Sequence, residues 1–213
     1  MTEQEWLAGT DPQAKLNYIF DRASDRKVRL LGIACCYAHW HALPNEECRR
    51  AVDTAERKVE GRATEMYFQV AVRDVGEFLA SLLLDLSRHN DNTCTGRESE
   101  VAVLQGLLIA VHGRDYRFRW GVAGVPLIGG SDCFSEVFGN PFRPVPAEPR
   151  WLTSTAISLA RTIYYEKKFD RLPILADALE EAGCDDGELL AHCRGDRTHV
   201  RGCWAVDLVL GKE

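Results

Sequence analysis

No apolar run in this chain is long enough to cross a bilayer. The two richest, "VRLLGIACCYAHWHAL" and "VAVLQGLLIAVHG", fall short of the ~20 apolar residues a spanning helix needs. The first also carries two histidines. The opening "MTEQEWLAGTDP" is acidic and lacks the basic, apolar and cleavage regions of a signal peptide. Cytoplasmic residence and no membrane partner are therefore expected. Positive charge is in deficit too: 26 Lys and Arg against 32 Asp and Glu leave a formal net charge of −6. That excludes a global electrostatic footprint for nucleic acid or anionic lipid, and an acidic surface serves solubility.

Enzyme signatures are missing. There is no G-x-S-x-G elbow, no phosphate-binding glycine loop, no dinucleotide fingerprint, no H-E-x-x-H and no C-x-x-C-H. Asp170, Asp177, Glu180 and Glu181 are accounted for by capping and by solvated helix faces. Eight cysteines in 213 residues are fewer than a disulfide-built secreted domain carries. Cys35 and Cys36 are adjacent, and neighbours cannot easily reach disulfide geometry. Reduced thiols, buried as small hydrophobes, follow. No internal repeat or low-complexity tract interrupts the chain, whose length suits one large domain or two small ones.

What is present is a series of capped amphipathic segments. "TEQE" is a capping box for a helix over Glu3–Ala8. Asp11-Pro12 opens a second helix reaching Phe20. Ser24 caps a third, apolar nearly all round and therefore central, running to about His41. Asn45 caps a fourth that stops at Gly61, and Thr64 to Arg88 forms a long fifth with Phe68, Val72, Val75, Leu79 and Leu82 or Leu83 as its seam. Further helices are expected over 98–112, 131–138, 151–168, from Asp170 to Gly183, from Asp185 or Asp186 to about Arg194, and within "HVRGCWAVDLVLGK", where Trp204, Val206, Leu208 and Leu210 also alternate as in a strand. The class is all-α. The division is an N-terminal bundle over 1–139, a proline-rich connector over 140–150 and a C-terminal helical segment over 151–213 packed on the bundle, with 113–130 irregular. A single domain overall is the other division considered.

Four stretches, "EWLAGTDP…ASDRKVRLLGIACC", "GNPFRPV", "FDRLPILADALEEAGC" and "HCRGDRTHVRGCWAVDLVLGKE", resemble those of an uncharacterised bacterial family present in many copies in some large genomes. The resemblance covers roughly residues 1–60 and 131–213, and does not extend to 90–130. The family has no assigned activity, so no catalytic residue is carried over. Its multiplication within a genome implies a recognition or regulatory module.

Three constellations bear on chemistry. Cys184, Cys193, His199 and Cys203 stand at C-x8-C-x5-H-x3-C, and three thiolates with one imidazole are a tetrahedral zinc set. The usual C-x-x-C knuckle is absent, and all three cysteines fit as packing residues of a helical corner. The expectation is that these four do not form a zinc site and that no cofactor is bound. In "CCYAHWH", Cys35, Cys36 and His39 share a helical face; a core cysteine pair beside helix-end histidines explains them. In "RDYRFRW", Arg117, Arg119 and Trp120 offer the alternating cations and rings that single-stranded nucleic acid requires. An edge strand with arginines outward has the same pattern, and the acidic chain favours it. The function expected is a non-catalytic, cytoplasmic protein-interaction or regulatory module, with another protein as its partner. The alternative is a zinc-stabilised nucleic-acid-binding protein using the Cys184–Cys203 cluster. A cysteine-dependent enzyme ranks third.

Overall fold

The structure is a computed structural model that describes residues 1–9, 11–88, 98–115 and 131–212, with the side chains of 77–102, 104, 131 and 132 left aside. Arg117, Arg119, Trp120 and the loop Asn90–Gly96 lie outside the described residues. So do the side chains of Leu79, Leu82 and Leu83. Among the described residues there are eleven α-helices and no strand, so the class is all-α. No helix is long and apolar enough to cross a membrane. The chain divides into two compact units, Met1–Cys133 and Phe134–Glu213. The proline-rich 140–150 stretch therefore lies inside the second unit, which takes in most of the helix expected to close the first.

In the first unit, helices α1 (Glu3–Ala8), α2 (Pro12–Phe20), α3 (Asp25–Ala38), α4 (Glu46–Val59), α5 (Glu65–Arg88) and α6 (Glu98–His112) follow in order. Their starts are set by side chains that satisfy orphan N–H groups. Thr2 and Glu5 complete a capping box on α1. Asp11, Ser24 and Asn45 accept from the backbone N–H of Ala14, Lys27 and Cys48. Helix α3 stops at Ala38, three residues before the expected end, because a 3-10 turn over Trp40–Ala42 takes over.

Helix α3 is the centre of this unit. Seven consecutive residues, Leu30 to Cys36, are all buried. The helix crosses α6 so closely that a Cβ on Gly32 would sit 2.4 Å from the Ala110 nitrogen and the Gly106 oxygen. Only two glycines allow that approach. Arg29 then reaches over from α3 to donate to the Ala110 and Val111 carbonyls, among the last of α6. Asp25 holds Arg29 and accepts from the Arg114 N–H. A cation thus satisfies carbonyls that the helix end leaves free.

The second unit contains the remainder of α7 (Ser131–Phe138), then α8 (Ser154–Glu166), α9 (Leu172–Glu181), α10 (Gly187–Arg194) and α11 (Trp204–Leu210). Thr153 caps α8 through the Ala156 N–H. Asp170 does not cap α9 as expected. It sits in a 3-10 turn over Phe169–Arg171, and α9 begins at Leu172 with no side-chain cap. Pro173 explains why none is needed: its missing N–H falls in the first turn. The far end behaves as expected. Gly183, at φ 84°, reverses the chain while the Cys184 N–H reaches the Leu179 carbonyl and the Gly183 N–H reaches that of Glu180. Both bonds belong to the Schellman closure. Ile163, Tyr164, Leu172, Leu175, Leu179 and Leu189 form the core, with Cys184, Cys193 and Cys203 among them.

The α3–α6 crossing yields a test. Gly32→Ala should cost about 3 kcal/mol or more, since backbone on both sides prevents accommodation. Gly76→Ala, where nothing lies within 4 Å of the new Cβ, should instead stabilise by about 0.5–1 kcal/mol through helix propensity. Urea unfolding midpoints of the two variants check both signs.

Candidate metal centre

Four side chains meet in the second unit: Glu136 from α7, His192 from the last turn of α10, His199 from the loop that follows, and Cys203 at the N-cap of α11. One ligand atom from each lies within 4.8 Å of every other. The sequence explains how they are delivered. Asp186 caps α10 through the Leu189 N–H. Leu189, Leu190 and Cys193 bury one side of that helix, which carries His192 inward with them. Beyond Arg194, the loop is pinned at two points. Val200 N–H donates to Glu136 Oε1 at 3.2 Å. The buried Arg201 guanidinium donates to the Tyr164 carbonyl through Nε and Nη2.

Distances at the centre are short. His199 Nδ1 lies 3.1 and 3.0 Å from the two Glu136 oxygens. His192 Nε2 is 3.1 Å from Cys203 Sγ and 3.5 Å from Glu136 Oε2. The two imidazoles meet edge to face at 5.1 Å. Trp204 covers His192: its ring lies 5.0 Å away and its indole N–H donates to His192 Nδ1 at 3.0 Å. The side chains of His192, His199 and Glu136 are only 5%, 5% and 4% exposed. His199 Nε2 is buried and has no hydrogen-bond partner among the described residues.

The electrostatics are those of a buried pocket. Burial, reinforced by His199 and Arg197, lowers His192 to about 3. Its contact with Glu136 is therefore neutral imidazole to carboxylate, not an ion pair. Burial, then the Glu136 charge, pushes the Cys203 thiol well above its ordinary value, and the Val206 N–H at the start of α11 works the other way. Without a cation, then, the carboxylate disfavours a thiolate beside it. A bound dication reverses that preference.

Of the four ligands considered from spacing, the structure brings His199 and Cys203 together and leaves Cys184 and Cys193 outside the group. Both excluded cysteines are core residues. Burial raises Cys184, and burial with Glu136 raises Cys193 to about 12. Glu136 and His192 enter in their place. The other constellation resolves as packing: Cys35, Cys36, Cys48 and Cys133 are all buried. A hydrogen bond with Cys133, then burial, raises Cys35. Burial raises Cys36, and also Cys48, the latter to about 11. His39, the helix C-cap, is lowered by burial and by His41. No family model, curated protein or solved structure matches the chain.

Two outcomes follow from these proton affinities. Thiols this far from ionisation should resist alkylation by iodoacetamide at neutral pH and react only in denaturant. Mass spectrometry of the labelled chain reads this for Cys35, Cys36, Cys48, Cys184, Cys193 and Cys203; Cys94 lies outside the described residues. The second outcome concerns acid. Between ~6.5, the unfolded imidazole value, and about 3, only the unfolded chain takes the His192 proton. Stability from this group is full above that window and falls as pH drops through it, by up to about 1.4 kcal/mol per pH unit. Urea titrations with chelator present, repeated on His192→Gln, should show the slope and its flattening.

Proposed function

We propose that this chain is a non-catalytic protein-interaction or regulatory module whose C-terminal unit is held together by one divalent transition metal. The ligand set is Glu136, His192, His199 and Cys203, and zinc fits it first. One observation carries the reading: a buried carboxylate, a buried thiol and two buried imidazoles converge with all four ligand atoms within 4.8 Å. Tetrahedral zinc with bonds of about 2.0–2.3 Å places its ligands about 3.3–3.8 Å apart. The 3.5 Å separation falls inside that range, and the 3.0 and 3.1 Å separations, which are hydrogen-bond contacts, would have to open by a few tenths of an ångström.

Charge supports it equally. Carboxylate and thiolate together neutralise a dication, while both imidazoles remain neutral. A buried carboxylate without such a partner costs several kcal/mol, offset here only by hydrogen bonds. The orphaned His199 Nε2 shows that those bonds do not satisfy the pocket completely. A soft sulfur with two nitrogens favours zinc over magnesium or calcium, which take oxygen shells. Four protein ligands close the tetrahedron, as in structural rather than catalytic sites, which keep a position open. A thiolate ligand must stay reduced, which is why a cytoplasmic setting belongs with this proposal.

Protein purified under reducing conditions without added metal should carry about one equivalent of zinc, or take it up on titration, by elemental analysis. Glu136→Gln and Cys203→Ser should each abolish it and lower the melting temperature of the second unit, as a chelator should for the wild type. Cys184→Ser and Cys193→Ser should leave the metal content unchanged. Absence of zinc uptake by folded wild type, or full uptake by Cys203→Ser, would overturn the proposal.

A further inference from the structure

Trp204 and His192 make a contact that the ligand set alone does not require. The indole N–H can only donate, and it donates to His192 Nδ1 at 3.0 Å. Nδ1 is therefore the nitrogen with the free lone pair, and the neutral ring keeps its proton on Nε2. Yet Nε2 is the nitrogen facing Cys203 Sγ and Glu136 Oε2. A metal ion bound by this imidazole needs the Nε2 lone pair, which the Trp204 contact denies it.

We infer, building on the metal reading above, that Trp204 is the latch of the site: its indole holds His192 in the tautomer that cannot ligate, and metal loading releases it. The proton balance is explicit. On loading, His192 gives up its Nε2 proton and takes one at Nδ1, His199 moves its proton from the Nδ1 that faces Glu136 to Nε2, and Cys203 loses its thiol proton to solvent. One proton leaves for each dication bound. Nδ1–H and the indole N–H then point at each other across 3.0 Å, two donors with no acceptor between them. The indole has to move.

The surroundings allow that movement. Trp204 is only partly buried, whereas the His192 it covers is buried. It lies against Gly139, where even a Cβ would come within 3.0 Å of the indole ring. The slot that seats the indole thus exists because residue 139 has no side chain. Trp204 is also the first residue of α11, so metal occupancy is converted into a displacement at the start of the last helix. Trp204 touches no metal in this scheme. It is a positioning residue, acting through His192.

The test uses long-range proton–nitrogen NMR of the histidine rings in the full chain, first with chelator, then with one equivalent of zinc. His192 should carry its proton on Nε2 without metal and on Nδ1 with it, and the Trp204 indole resonance should shift in step. Trp204→Phe keeps an aromatic ring but removes the N–H. It should bind zinc roughly two- to tenfold more tightly in a competition assay, the worth of one neutral hydrogen bond. If zinc binds but His192 keeps its proton on Nε2, the ion rests on Glu136, His199 and Cys203. The latch is then wrong and the metal reading survives. Equal affinity of folded Trp204→Phe and wild type also sinks the latch. Failure of the wild type to take up zinc removes both. Should Trp204→Phe not fold, the wild-type spectra alone decide.

Discussion

A carboxylate inside the second unit is the constraint around which its neighbours are arranged. Glu136 is 4% exposed, and a buried carboxylate must be met by donors or cations from every direction it faces. Helix α7 supplies it, and the answering groups come from more than fifty residues further on. Val200 offers its backbone N–H, and His199 and His192 bring ring nitrogens. Holding those groups in place fixes the path of the 195–203 loop, which in turn sets Cys203 at the start of α11 and Trp204 above His192. Remove the carboxylate and the loop loses the acceptor that holds its Val200 main chain and its His199 ring. Arg201 on the Tyr164 carbonyl would then hold only the side facing α8.

The fold was largely legible because its signals are local. Thr2 with Glu5, Asp11, Ser24, Asn45 and Asp186 each sit where a helix leaves N–H groups unsatisfied, and each side chain reaches only three residues ahead. Gly183 closes α9 for an equally local reason. Asp170 misled because the same residue type also suits a 3-10 turn, and Pro173 made a side-chain cap unnecessary. The division of the chain was harder to see. Four prolines over 140–150 mark a stretch that cannot be helical, but a break in helix is not a break in packing. Phe134 and Val137, fully buried in the second unit, lie before it.

The candidate site was half legible. His199 and Cys203 stand four residues apart and carry the spacing expected of ligands, so a pattern of residue types found them. His192 was in plain view beside Cys193, but spacing rules that count cysteines pass over it. Its signal is positional: it shares a short helix with Leu189, Leu190 and Cys193, and a polar ring carried on such a helix needs a partner. Glu136 could not be found in this way. In "DCFSEVF" it looks like any acidic residue on a solvated face, and what buries it comes from residues 192–204.

The two groups of thiols in this chain show why cysteine spacing is the wrong variable. Cys35, Cys36 and Cys48 are as buried as Cys203, and burial helps to raise the proton affinity of all three in the same direction. Their polar contacts differ: Cys35 meets Cys133, and Cys36 meets the Val103 carbonyl. A thiol hydrogen-bonded to a carbonyl or another thiol is content as a small hydrophobe. Cys203 instead faces an imidazole at 3.1 Å and shares its pocket with a carboxylate. Carboxylate and thiol beside two imidazoles have more acceptor capacity than protons to fill it, and the orphaned His199 Nε2 is where that excess surfaces. A divalent cation in the group would draw on the carboxylate, the sulfur and one nitrogen of each ring, while His199 Nε2 lies across its ring from the Nδ1 that meets Glu136. On that account the chemistry of the pocket follows from the groups gathered around one thiol, whatever the number of thiols in the chain.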